Sequence, residues 1–114
     1  MSKYYDLEGV TEMAGDDDDF VKVIVQTFLE EIPPDVKSMD QAIEAGNPAL
    51  AYQYAHKMKP NLQLFGLDLM EQILTIEAWS KGQKKEADAK SAGERIATKV
   101  NLAQHQLKKD FDLQ

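Results

Sequence analysis

The chain has 114 residues, of which 43% are hydrophobic and 29% charged, and its net charge is −7. This composition predicts one globular domain, residues 1–114, and excludes a disordered chain. The absence of cysteine excludes disulfides, thiolate metal sites and a cysteine nucleophile. The acidic balance argues against nucleic-acid binding. No apolar run reaches the roughly 20 residues of a membrane span. The first six residues lack an apolar signal segment, so we expect a cytoplasmic protein.

The charge is distributed unevenly along the chain. Residues 1–50 contain 3 Lys and 12 Asp or Glu, a balance of −9, whereas residues 81–114 contain 8 basic and 5 acidic residues, a balance of +3. The acidic character therefore belongs to the first half of the chain.

Helical periodicity dominates, and no stretch alternates polar and apolar residues as a strand would. A short opening helix is predicted over Asp6–Ala14, ended by Gly15. The aspartates 16–19 then begin a second helix, where carboxylates can cap free N–H groups. Its apolar stripe is Phe20, Ile24, Phe28 and Ile32.

Pro33-Pro34 is predicted to bend or break that helix, because each proline lacks an N–H and clashes with the preceding turn. A further helical stretch, Asp35–Ala45, carries Val36, Met39 and Ile43 and ends at Gly46.

The remaining segments are also helical. Asn47-Pro48 begins a helix that runs to about Phe65, and Gly66 closes it. A fourth segment, Leu67–Ser80, places Met70, Ile73, Leu74 and Glu77 along one side. The last helix runs from about Lys84 to Phe111. Four long amphipathic segments with short loops predict an all-α, up-down antiparallel four-helix bundle with a short extra N-terminal helix, its core spanning about residues 16–112.

The helix Asn47–Phe65 has one histidine opposite its apolar side. On a wheel of about 100° per residue, an apolar arc is formed by Leu50, Ala51, Tyr54, Ala55, Met58, Leu62 and Phe65. His56 lies roughly 160° from the centre of that arc and should face solvent. Around it on the wheel lie Ala49, Tyr52, Lys59, Pro60 and Gln63, with no carboxylate.

This arrangement suits phosphoryl chemistry. An exposed neutral imidazole is a competent nucleophile near pH 7. Lys59 lies one turn away on the same face, where its ammonium can offset the charge of a phosphoryl group on the imidazole.

The residues also resemble a known family. The segment Ala55–Pro60 reads AHKMKP, with Gly66 ten residues after the histidine. It is similar to the signature of histidine phosphotransfer (HPt) domains, usually Ala-His-x-Leu-Lys-Gly with a later Gly. The resemblance extends over roughly residues 5–80. Met58 in place of Leu is a volume-conserving change. Pro60 in place of Gly cannot donate to the His56 carbonyl, so we expect a bend there.

The resemblance implies an intermediate of a two-component phosphorelay. His56 would accept a phosphoryl group from a receiver-domain aspartyl phosphate and pass it to another receiver. The chain would bind no cofactor, no metal and no ATP; Mg²⁺ would be supplied by the receiver. The implied partners are response-regulator receiver domains and an upstream hybrid sensor kinase, and the chain would act as a monomer, either free-standing or as a segment of such a kinase.

The same resemblance assigns roles around the histidine. Lys59 would stabilise the phosphoryl charge and Gln63 could contact the phosphoryl group. The docking surface would comprise Ala49, Tyr52, Lys57, Pro60, Gln63 and Leu64. Leu64 could instead pack against the opening helix. His105, on the last helix, is predicted to be an ordinary solvated residue.

Three alternatives remain open at this point. The chain could be a non-catalytic HPt-like adaptor that binds a receiver, or a generic helical interaction module. A metal-binding bundle is disfavoured, because Glu three residues before the histidine is required and Gln53 and Leu102 stand there. The four aspartates do not form an EF-hand loop, since Phe20 and Val21 occupy its fifth and sixth positions.

Overall fold

The computed structural model of the chain describes residues 4–15 and 17–113. Over these ranges it contains helices and no strand, as predicted. The helices are α1 (Glu8–Ala14), α2 (Asp18–Glu44), α3 (Pro48–Leu64), α4 (Met70–Ser80) and α5 (Glu86–Asp110). The fourth begins three residues later than predicted, because Leu67 and Leu69 enter the core from a non-helical segment. None of the helices in the described ranges combines the length and apolar character needed to cross a bilayer.

The two stretches predicted on either side of Pro33-Pro34 form a single helix, so the prolines do not break it, and the bend predicted as the alternative stays a prediction. Each proline costs about 3 kcal/mol in a helix interior. The buried positions Phe28, Ile32, Val36 and Met39 nevertheless continue in register across the prolines. Burying such side chains contributes about 1.5–3 kcal/mol each, which outweighs the cost. Likewise Pro60 does not end α3, which continues to Leu64; the bend expected there stays a prediction.

Side-chain caps begin α2 and α3, as the sequence predicted. Asp17 accepts a hydrogen bond from the Phe20 N–H at 3.1 Å, and Asn47 accepts one from the Leu50 N–H at 3.2 Å. Asp16, the first of the four predicted capping aspartates, lies outside the described residues. Both caps satisfy N–H groups that have no partner inside the helix.

The helices bury a shared apolar core. Helix α2 packs against α3 and α5, α4 packs against the same two helices, and α1 contacts α2 and α3. Within this core, the ring centroids of Phe28 and Phe65 lie 4.2 Å apart. Three residues predicted for apolar faces are instead exposed: Phe20, Leu50 and Leu74. Phe20 and Leu50 lie near the starts of α2 and α3, and Leu74 lies on the side of α4 opposite the buried Ile76.

An N-terminal segment fastens the ends of α3 and α5. The Tyr4 N–H donates to the Gln106 side chain, the Tyr5 hydroxyl donates to the Asp110 carboxylate, and the Asp6 N–H donates to the Phe65 carbonyl. This segment passes directly over Gly66, whose φ is +70°. A Cβ at Gly66 would lie 2.6 Å from the Asp6 Cβ. Glycine is therefore required there both for its backbone angle and for its lack of a side chain.

We predict that Gly66→Ala lowers the free energy of unfolding more than Gly82→Ala does. Both glycines have positive φ, at +70° and +75°, so alanine is strained at each by about 1–2 kcal/mol. Nothing lies within 4 Å of the Cβ position at Gly82, so only Gly66→Ala also displaces the segment at Asp6. Urea unfolding followed by circular dichroism measures both losses, and equal losses would contradict the prediction.

Asp40 carries an unfavourable charge on the α2 surface that faces α5. Partial burial, followed by the nearby carboxylates of Glu44 and Glu94, raises the pKa of Asp40 above its ordinary value. Its charged form is therefore less favourable in the folded protein than in the unfolded chain. The free energy of unfolding is therefore not reduced by Asp40 below the ordinary Asp pKa, where the carboxyl is protonated in both states. It decreases as the pH rises through the raised pKa of the folded protein, because the folded protein must then ionise a carboxyl whose charge it disfavours.

We predict that Asp40→Asn stabilises the protein at pH 7, because it removes a charge that the fold disfavours. The gain should disappear below the ordinary Asp pKa, where Asp40 is protonated in both states. Urea midpoints measured from pH 3 to 8 test this, with the exposed Asp68→Asn as the control. A gain that does not depend on pH would show that the charge of Asp40 is not its cause.

Candidate functional site

The inner face of α3 determines what the helix presents to solvent. Ala51, Ala55, Met58 and Leu62 are buried. The side chain opposite them is that of His56, which is exposed near the middle of the helix. The prediction that His56 faces solvent is therefore confirmed. In the described part of the chain, the imidazole of His56 makes no hydrogen bond and no ion pair.

The imidazole of His56 has one ring neighbour. The Tyr52 ring, one turn earlier on α3, lies 5.5 Å away between centroids and is tilted by 38°. Tyr52 is half-buried and packs partly against the core. His56 is nevertheless exposed beside this ring.

The other predicted site residues on this face are accessible. Ala49, Pro60 and Gln63 are exposed, and Lys59 is half-buried. Lys59 has no carboxylate within ion-pair distance among residues 4–15 and 17–113. Its ammonium, one turn from His56, is therefore not compensated by a side chain that the structure describes.

Lys57 differs from Lys59 in its charge pairing. Although its side chain is exposed, its Nζ lies 3.1 Å from Oδ1 of Asp35 on α2. The surroundings of the histidine helix thus include a carboxylate that the wheel of α3 alone did not reveal. Lys57 remains on the surface, but its charge is shared with α2.

Leu64 lies at the border between the site and α1. It is half-buried, and a Cβ built at Gly9 of α1 would lie 3.3 Å from its Cδ1. Gly9 therefore allows α1 to approach Leu64 closely. This placement favours the packing interpretation of Leu64 over a docking role.

Two residues near the site were missed by sequence reasoning. Leu50 was assigned to the core, yet it is 37% exposed and lines a depression beside the imidazole. Besides His56, that depression is lined by side chains that carry no formal charge: Asn47, Ala49, Leu50, Tyr52 and Gln53. Asp35 was overlooked because the assumed helix break placed it at a helix start. Its spacing from Ile32 and Met39, three and four residues, was the available signal that it lies on the buried face.

The remaining candidates for chemistry are sparse. His105 is exposed on α5, as predicted. Within the described ranges, no group of three or more His, Cys, Asp or Glu side chains is arranged to hold a metal ion. Within the described part of the chain, the candidate site is therefore an exposed imidazole with an unpaired lysine on its helix face.

Comparison with protein-family models, with curated proteins and with solved structures finds no match for this chain. The geometry of α3 and the resemblance of its residues to the phosphotransfer motif are therefore the basis for assigning a function.

Proposed function

We propose that the chain is a histidine-containing phosphotransfer protein of a two-component phosphorelay, with His56 as the phosphoacceptor. The observation that carries the proposal is the exposure of His56 at mid-helix with Lys59 unpaired beside it. The helix contacts support the finer architecture we propose, an up-down antiparallel four-helix bundle of α2–α5 with α1 as an addition.

In the proposed reaction, Nε2 of His56 attacks the phosphorus of an aspartyl phosphate on a receiver domain. An N–P bond forms, the acyl P–O bond breaks, its electron pair returns to the receiver carboxylate, and the proton on Nδ1 of the imidazole passes to solvent. The reverse sequence on a second receiver delivers the phosphoryl group onward. The Mg²⁺ that receivers require would be held by the receiver, and this chain supplies the positioned nucleophile.

Each neighbour of His56 has a role in this proposal. Tyr52 restricts the imidazole through its ring contact. Lys59 offsets the negative charge of the phosphorylated form. Ala49, Pro60 and Gln63 provide an exposed surface of small, rigid or neutral side chains that a receiver can approach. Gln63 can also donate a hydrogen bond to a phosphoryl oxygen.

A second candidate function is a non-catalytic adaptor that binds a receiver without accepting a phosphoryl group. The uncharged depression at Leu50 and Tyr52 favours it as strongly as it favours transfer, since both need a docking surface. Only covalent labelling of His56 separates the two.

We predict that His56→Gln abolishes phosphorylation by receivers charged with a small phosphodonor. The wild type should form an acid-labile, base-stable phosphoprotein, because phosphoramidates hydrolyse in acid. His105→Gln is the matched control, an exposed histidine on α5, and should label like the wild type. Receiver binding without labelling would support the adaptor, and labelling that persists in His56→Gln would reject His56 as the acceptor.

We predict that Lys59→Ala shortens the lifetime of phosphohistidine several-fold. The ammonium disfavours protonation of the phosphorylated imidazole, the step that promotes its hydrolysis, and it attracts the phosphoryl oxygens. Lys99→Ala, a half-buried lysine on α5, is the control and should leave the lifetime unchanged. The decay of phosphoprotein at pH 7 and low salt measures both. Equal lifetimes in all three proteins would remove the role assigned to Lys59.

A further inference from the structure

A buried carboxylate on α2 is bound to the residue that follows the candidate phosphoacceptor. Asp35 is 7% exposed and is the charged residue that the described part of the chain buries. Its Oδ1 lies 3.1 Å from the Lys57 Nζ, and the side chain of Lys57 is 62% exposed. The pair therefore joins a buried acid on one helix to a surface cation on the next.

Lys57 and Lys59, the two lysines that follow His56, point in different directions from α3. Residues 56 and 57 project about 100° apart around α3, and the ion pair draws the Lys57 ammonium further toward α2. Lys59 projects about 60° from His56 on the other side and has no such partner among the described residues. Of the two ammonium groups, that of Lys57 has a compensating carboxylate and that of Lys59 has none within residues 4–15 and 17–113.

The burial of Asp35 makes the pair persistent. A buried carboxylate that loses its cation is left without compensation, which is strongly unfavourable, whereas an exposed pair exchanges its partners for water at little cost. Within the described ranges, the Asp35 carboxylate is paired with the Lys57 ammonium. Asp35 therefore fixes the position of the Lys57 ammonium beside α2 rather than beside His56.

We propose that Asp35 is a positioning residue for the phosphotransfer site. It holds Lys57 against α2, neutralises its charge and leaves Lys59 as the cation that acts on the phosphoryl group of His56. This inference rests on the proposed function of His56 and extends it to a residue on a different helix.

The proposal has an electrostatic consequence that a purely structural role lacks. Asp35→Asn keeps the shape of the side chain but leaves an uncompensated positive charge on Lys57, the residue next to His56 in the chain. A unit charge within about 10 Å of a doubly charged phosphoryl group is enough to change a rate by about twofold to fivefold in water. The effect must fade with ionic strength, because the Debye length falls to about 3 Å at 1 M salt.

The test uses phosphoramidate, a small donor that requires no receiver, on the wild type, Asp35→Asn, and Asp35→Asn combined with Lys57→Met. Phosphohistidine should hydrolyse about two to five times more slowly in Asp35→Asn at low salt, and at the wild-type rate near 1 M salt. In the double variant neither charge remains, so hydrolysis should return to the wild-type rate at every salt concentration. Glu86→Gln, which breaks the exposed pair with Lys90 on α5, changes the net charge equally and should have no effect.

A slower rate that survives in the double variant or at high salt would overturn the proposal, because it would report a change of structure rather than of charge. So would hydrolysis in Asp35→Asn that matches the wild type at all salt concentrations.

Urea unfolding tests the Asp35–Lys57 ion pair independently of whether His56 accepts a phosphoryl group. The urea midpoint is measured for Asp35→Asn, for Lys57→Met and for the double variant. The decrease in the double variant should be smaller than the sum of the decreases in the two single variants. Additive losses would overturn the ion pair whatever the labelling shows. Coupled losses without any labelling of the wild type by phosphoramidate or receivers would reject the proposed function and reduce the pair to a contact between helices.

Discussion

Ala51, Ala55, Met58 and Leu62 bury one face of α3 against the neighbouring helices, and helical geometry then sets the direction of every other side chain on α3. Two of the four are alanines, which let the neighbouring backbones come close and leave little freedom to rotate the helix. A rotation that buried His56 would expose Met58 and Leu62 to water, at about 1.5–3 kcal/mol for each. The exposure of the histidine is therefore a consequence of core packing.

The same constraint explains how charge is arranged around the histidine. Lys59 is on the outward face, where no neighbouring helix brings a carboxylate to it within the described residues. Lys57 is on the side facing α2, where Asp35 compensates it. A protein with a net charge of −7 thereby keeps, among the residues that the structure describes, a lysine without a carboxylate partner on the same helix face as an exposed imidazole. A phosphoryl group on His56 would therefore be influenced more by the nearby positive charge of Lys59 than by the net negative charge of the whole chain.

Rigidity elsewhere supports this arrangement. Helix α2 crosses Pro33-Pro34 without ending, so Asp35 and the α2 residues that pack on α3 belong to one continuous element. The N-terminal segment bonds to the end of α3 at Phe65 and closes over Gly66. The histidine helix is thus held on its inner side by the core, at Lys57 by an ion pair, and at its end by a hydrogen-bonded segment.

The sequence by itself determined the helical class, the caps at Asp17 and Asn47, the turn at Gly66 and the outward direction of His56. These follow from local backbone chemistry and from a period of about 3.6 residues, which need no knowledge of neighbouring helices. Tertiary structure alone decided that α2 continues through its prolines, because the gain from a buried stripe outweighs a local preference. It also decided which lysine is neutralised, since an ion pair between residues 22 positions apart depends on how two helices pack. A wheel of one helix contains no information about the side chains of another.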